Sequence, residues 1–214
     1  MINTTWGYTL TTVSSLADFM TVADFVLYTN SRFSAKDTRI QPNITGASRA
    51  IQNYCGWHIY PNLECEMVYR VQDLRDAFVG SDLLIQLPAT CVNSVKSILL
   101  NAKQEGDEWI GDSTIDFDLD RSGLIRIYDT FGLDKRSKIR IVYDAGVGAE
   151  QIDVLKELVA NKVTHAVTTT YGVNSETAGS VSVSYNGSWA SATKSSLPDD
   201  TKEVLQAFKV KGVF

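Results

Sequence analysis

Leu63-Glu64-Cys65-Glu66-Met67-Val68-Tyr69-Arg70-Val71-Gln72 is where the chain changes period. Leu63, Cys65, Met67, Tyr69 and Val71 alternate with Glu64, Glu66, Val68, Arg70 and Gln72, the pattern of a strand with one face toward a core. Similar alternation predicts strands at 83–87, 92–99, 114–119, 124–128 and 138–144. Residues 101–107 and 120–123 read as turns between them. Strands joined by short links favour an antiparallel sheet or a small β-barrel.

On either side of this region the period is helical. Ser14 or Ser15 can cap a first helix with Asp18 in its first turn, and Leu16, Phe19, Met20, Ala23, Val26 and Leu27 then share a face. A second helix follows Pro42, with Ile44, Ala47, Ile51, Tyr54 and Cys55 inward and Gly56 as its stop. After Gly148 come Ile152, Leu155, Val159, Lys162, Val163, Ala166 and Val167, closed by Gly172. Pro198, with Asp199 and Asp200 suited to a helix N-terminus, opens a last helix with the apolar stripe Val204, Leu205 and Phe208. The predicted class is α+β. Residues 1–62, a helical hairpin, pack with 147–214 as a small helical bundle, and 63–146 form an inserted antiparallel β domain.

Composition narrows the function. Of 214 residues, 44% are hydrophobic, enough for one sizeable core or two small ones. Acidic residues outnumber basic ones 25 to 20, and Lys135-Arg136 is the densest basic run. Tight binding to a phosphate backbone depends on clustered cations, so it is not expected. Cys55, Cys65 and Cys91 form neither a disulfide framework nor a zinc pattern and read as buried thiols in a reducing compartment. The N-terminus carries no signal-peptide pattern, and no stretch approaches the ~20 apolar residues that cross a bilayer. Synthesis in the cytoplasm and no membrane partner are the expectations.

The catalytic inventory is empty. No Gly-x-Ser-x-Gly, Walker A or dinucleotide fingerprint occurs, and Gly146-Val147-Gly148 reads as a turn before a helix. His58, just past a helix end, can meet the last carbonyls of that helix; His165 also reads as structural. No nucleophile, base and orienting group can be nominated together, so neither an enzyme nor a cofactor is expected. One stretch, Asp118-Leu119-Asp120-Arg121-Ser122-Gly123-Leu124-Ile125, matches the start of a calcium loop, with Asp129 at its twelfth position. The competing reading is a hairpin with a solvated acidic face. Asp118, Asp120, Ser122 and Asp129 are therefore weak metal candidates.

The last forty residues carry candidates for docking. Val181, Val183 and Tyr185 alternate as an extended arm, and Trp189 stands in a Ser/Ala/Thr-rich stretch. Such a ring suits an anchor on another surface, or one folded back on its own subunit. Val204, Leu205 and Phe208 complete the partner-binding set.

Several motifs together resemble one family. Ile44 to Trp57, ending Tyr54-Cys55-Gly56-Trp57, is similar to a helix end of phage head–tail connector proteins, also called adaptor or head-completion proteins. Leu87-Pro88-Ala89-Thr90-Cys91-Val92-Asn93-Ser94-Val95 resembles that family's Leu-Pro strand, with Cys91 where a proline is usual. Ile141-Val142-Tyr143-Asp144-Ala145-Gly146 and the helix after it resemble a further passage, with Ala149-Glu150-Gln151 replacing its proline. Asp199 to Leu205 is similar to the family's final helix. The resemblance implies a structural protein of the virion neck: a dodecameric ring of itself beneath the portal protein. That ring would extend the DNA channel and offer a platform to a tail terminator, stopper or tail-tube protein. DNA would pass through without specific binding. Two other readings stay open: a calcium-stabilised binding module, and another virion joint such as a tail-completion protein.

Overall fold

The computed structural model describes residues 1–113, 115–120, 122–130, 132–133, 136–168 and 197–210, together with 175–178 and 181–184 by their backbone pairing. The class is α+β, and the chain divides into two compact units. A β unit takes Met1–Leu16, Gly56–Gly148 and Val210–Phe214; a helical unit takes Ala17–Cys55 and Ala149–Lys209. The boundaries thus fall at 16/17, 55/56 and 148/149, where the sequence pattern suggests 62/63 and 146/147. The N-terminal residues join the sheet.

In the β unit, β1 (Ile2–Asn3), β2 (Thr9–Leu10), β3 (Leu63–Arg70), β6 (Val92–Glu105), β7 (Glu108–Asp112) and β10 (Lys138–Ala145) form one antiparallel sheet in the order β1-β2-β3-β10-β6-β7. Strand β10 is central. It pairs with β3 through Ile139↔Tyr69, Ile141↔Met67 and Tyr143↔Cys65, and with β6 through Ile141↔Ile98. Period-2 alternation puts Ile139, Ile141, Tyr143 and Ala145 on one face, and all four are fully buried. On the other face Lys96 bridges Glu64 at 2.7 Å and Asp144 at 2.9 Å across three strands. Exposed pairs of this kind contribute little to stability but help hold register.

A second antiparallel sheet has the order β4-β5-β9-β8, from β4 (Phe78–Val79), β5 (Asp82–Gln86), β8 (Phe117–Leu119) and β9 (Leu124–Ile127). Its buried face is Leu83, Ile85, Ile125 and Ile127, brought opposite one another by the β5–β9 register. Neither sheet closes among the described residues, so the barrel alternative is corrected to two open sheets. The edge strands β1 and β4 are two residues long and offer no ladder on which to close.

One boundary inside the β region differs from the expected one. The predicted turn at 101–107 is strand as far as Glu105, with only Gly106-Asp107 turning; Asn101, at φ 50, marks an irregularity in β6 rather than its end. Gly146 does occupy a turn. Its φ is +135, and a Cβ there would lie 2.3 Å from the Pro61 carbonyl oxygen. Only glycine fits so close an approach.

The helical unit holds α1 (Val22–Tyr28), α2 (Ile40–Cys55), α3 (Asp153–Thr168) and α4 (Asp199–Leu205). Helix α1 begins later than the Ser14/Ser15 cap predicts. Thr21 caps it: its side chain accepts the Asp24 N–H, and the Asp24 carboxylate accepts the Thr21 N–H. Ser15 and Asp18 have the same spacing but form no such box. Asp18 is engaged elsewhere, accepting from Thr45 at 2.8 Å and Gln41 at 2.9 Å, with Arg49 at 3.5 Å. Phe19 and Met20 are buried as expected, but from an extended segment tied to α2, where the Phe19 N–H donates to Ser48 Oγ at 3.2 Å. Ile40, Ile44, Ala47, Ile51 and Cys55 form the buried stripe of α2, which packs against α3. Leu155, Val159, Val163 and Val167 are the matching stripe of α3, while Ala166 is exposed. Burying each such Ile or Leu stabilises by roughly 1.5–3 kcal/mol.

Candidate docking site

The docking residues suggested by the sequence fall into two groups. Val181 and Val183 lie on β12 (Val181–Ser184), which pairs antiparallel with β11 (Ser175–Ala178) through Ala178↔Val181 and Glu176↔Val183. The extended arm is thus one strand of a two-stranded hairpin. The side chains of Val181 and Val183, and all of Tyr185 and Trp189, lie outside the described residues.

The second group, on α4 and the 3-10 turn Gln206–Phe208, is described in full. Leu205 is 0% exposed, and Thr201, one turn earlier, is buried with it. Cys55 Sγ is 4.0 Å from the Leu205 carbonyl, Gln206 Nε2 donates to the Tyr54 hydroxyl at 3.0 Å, and Lys209 Nζ stands 4.9 Å from the Tyr54 ring centroid. Leu205 is therefore reassigned from docking to packing. The apolar stripe of α4 exists, but it seals its own helical unit. Val204, at 44% exposure, and half-buried Phe208 remain on the surface. A groove of about 480 Å³ runs along α2, lined by Gly46, Ala50, Asn53 and Tyr54 with Leu197 and Lys202.

The acidic stretch lies in the β unit as a hairpin. Asp120 and Gly123 close the turn, where the Gly123 N–H donates to the Asp120 carbonyl at 2.8 Å and the Asp120 N–H to the Leu124 carbonyl at 2.9 Å. The four metal candidates do not converge. Asp118 accepts from the Tyr128 hydroxyl, Asp120 accepts from Ser122 at 2.7 Å, and Asp129 lies beyond the far end of β9. An extended β9 carries Asp129 away from the turn, whereas a calcium loop must wrap round its ion. Among the described residues no three His, Cys, Asp or Glu side chains could hold a metal ion.

A larger acidic feature surrounds that hairpin. From Gln104 to Asp120 the chain carries seven acidic residues and no basic one. Glu105, Asp107, Glu108, Asp112, Asp116, Asp118 and Asp120 are all exposed, and so are Ile110 and Phe117 among them. The strip follows the edge strands β7 and β8. Its signal in the sequence is an uninterrupted run of one charge sign, which the calcium-like spacing at its end overlaps and obscures.

The described partners of His58 lie on the N-terminal segment and at the end of β10. Its Nε2 donates to the Ala145 carbonyl at 2.9 Å, and its Nδ1 is 2.8 Å from the Tyr8 hydroxyl. Burial holds its pKa down to about 4, so the ring is neutral. His165 lies on α3, half-buried. Cys55 and Cys65 are buried thiols pushed up to about 12 by desolvation, whereas Cys91 is only part-buried. No helix among the described residues is long and apolar enough to cross a membrane.

Compared with known proteins, residues 18–210 match a family model described as head completion protein. No curated protein matches the chain.

Proposed function

The chain belongs to the head completion protein family, a structural family of the phage virion at the head–tail joint, and from that premise we propose that it assembles as a ring beneath the portal. The ring extends the DNA channel and presents a platform to the tail. The family match carries this reading, because it spans both units of the fold, from Asp18 to Val210.

Two physical features support it. A closed ring of one subunit needs two unlike surfaces that meet heterologously. The chain offers a surface of one kind around Val204 and Phe208 and another at the acidic edges β7 and β8. The exposed acidic strip also has the charge that a DNA conduit wall needs. A wall of the same sign as the phosphates gives the duplex nothing to release counterions onto, so it slides past.

Portal attachment is assigned to the C-terminal part of the helical unit, including β12. Removing residues 197–214 would be a poor test, because Leu197, Thr201 and Leu205 belong to the core. A surface substitution is a better one. Val204→Asp should leave the fold intact and abolish binding to portal-bearing heads in a sedimentation assay. Undiminished binding of that variant, together with Phe208→Asp, would sink the assignment.

A further inference from the structure

The groove along α2 has a bare floor and a positive lining. Gly46, Ala50 and Asn53 recur at helical spacing along it, and Arg49 and Lys202 line it with Tyr54. Gly46 is exposed in the interior of a 16-residue helix, and a Cβ there would meet nothing within 4 Å. Its own fold gives no steric reason for a residue that weakens a helix relative to alanine. In a chain of formal charge −5, the groove is lined by two cations and, among the described residues, by no carboxylate. Lys209 Nζ adds a third cation, 4.9 Å from the Tyr54 ring centroid. Arg49 lies 3.5 Å from Asp18 and Lys202 2.7 Å from Asp199, pairs open to water that a further carboxylate can join.

The edge strand β7 has the complementary surface. Alternation puts Glu108, Ile110 and Asp112 on one face, and all three are exposed. Trp109 turns to the other face, where Lys138 Nζ and the Arg140 guanidinium stand 5.8 and 5.7 Å from its ring centroid. The outer face thus holds an apolar side chain between two carboxylates. Across the ladder Glu105 pairs with Glu108 and Lys103 with Ile110, so carboxylates predominate there. Glu108 to Asp112 covers about 14 Å of strand, and Gly46 to Asn53 about 10 Å of helix. We propose that β7 of one copy docks in the α2 groove of the next. Ile110 lies on the Gly46 and Ala50 floor, and Glu108 and Asp112 face Arg49 and Lys202. The inference rests on the ring reading and names the joint that the ring uses. Groove and strand are unlike surfaces of one chain, so the contact is heterologous and repeats from copy to copy, as a closed ring requires.

The test uses the full chain assembled on portal-bearing heads, with photo-reactive benzoyl-phenylalanine at position 110. Irradiation should give a dimer-mass product that joins position 110 to the peptide holding Gly46 and Ala50 of a second copy. A product at monomer mass, a cross-link to other peptides or to the portal, or none, would overturn the proposal. Lys202→Glu should cut the yield about fivefold, and Glu108→Lys on that background should restore it. Gly46→Leu fills the floor from a Cβ that touches nothing in its own chain. It should keep the thermal midpoint of the free chain and cut ring assembly about tenfold. If the wild-type chain forms a ring and Gly46→Leu and Lys202→Glu form it equally well, this joint is wrong and the ring reading stands. If the wild-type chain forms no ring, the ring reading falls and the joint with it.

Discussion

The Tyr8 hydroxyl lies 2.8 Å from Nδ1 of His58 and also accepts the His58 backbone N–H at 3.0 Å. A carbonyl can only accept, so the proton on the ring sits on Nε2, bonded to Ala145. Nδ1 is then the acceptor for the Tyr8 O–H. One neutral histidine thus joins the N-terminal strands, the segment after α2 and the end of β10.

Removing the phenolic oxygen breaks two of these bonds. Tyr8→Phe should cost about 1–3 kcal/mol, because both bonds are made by buried groups that water does not reach. Urea unfolding of the two proteins, compared at pH 7, gives the value. Equal midpoints would mean that the bonds add nothing net.

The same histidine predicts an acid dependence with a definite sign. His58 titrates near 4 when folded and near 6.5 when unfolded. Between those values the unfolded chain binds a proton that the folded chain does not. The stabilisation is therefore full above pH 6.5 and is lost as pH falls toward 4. From about pH 7 to about pH 5 the loss should be roughly 2 kcal/mol. His58→Asn should lack that part of the slope while keeping whatever other groups contribute.

Gly146→Ala should destabilise by at least about 2 kcal/mol. The new Cβ meets the Pro61 carbonyl oxygen and the backbone sits at φ +135. Gly80 is the control, since it has open space around its Cβ position although its φ is also positive. Gly80→Ala should show the backbone strain alone, and thermal unfolding of the pair separates strain from clash.

Adjacent residues on α4 should behave oppositely. Leu205→Ala leaves a cavity in the helical unit and should cost about 2–5 kcal/mol. Val204→Ala, on the exposed side, should stay within about 0.5 kcal/mol. Comparable losses would place both residues in the core and remove Val204 from the docking surface.

Much of the β unit is legible because a strand with one buried face writes its period into the sequence. Ile139, Ile141 and Tyr143 on β10 do this, and so does the β3 alternation. Strands β1 and β2 leave no such trace, since two residues carry no period. The start of α1 is not legible because Ser15 and Thr21 each have an aspartate three residues on, Asp18 and Asp24. Long-range bonds decide between them: Asp18 is held by Thr45 and Gln41, and Asp24 reciprocates the Thr21 cap. On α4 the spacing shows a stripe but not what it faces, and Leu205 faces its own subunit. The partner of His58 lies fifty residues away in sequence. A relationship of that kind is made by topology, and no local pattern announces it.

The assembly state of the chain on its portal decides the central claim most directly. Native mass spectrometry of the portal, alone and with this protein in excess, measures it. A single added mass equal to one closed ring of identical subunits is the predicted result. A portal mass unchanged at saturating protein, or a ladder of independent additions, would contradict it.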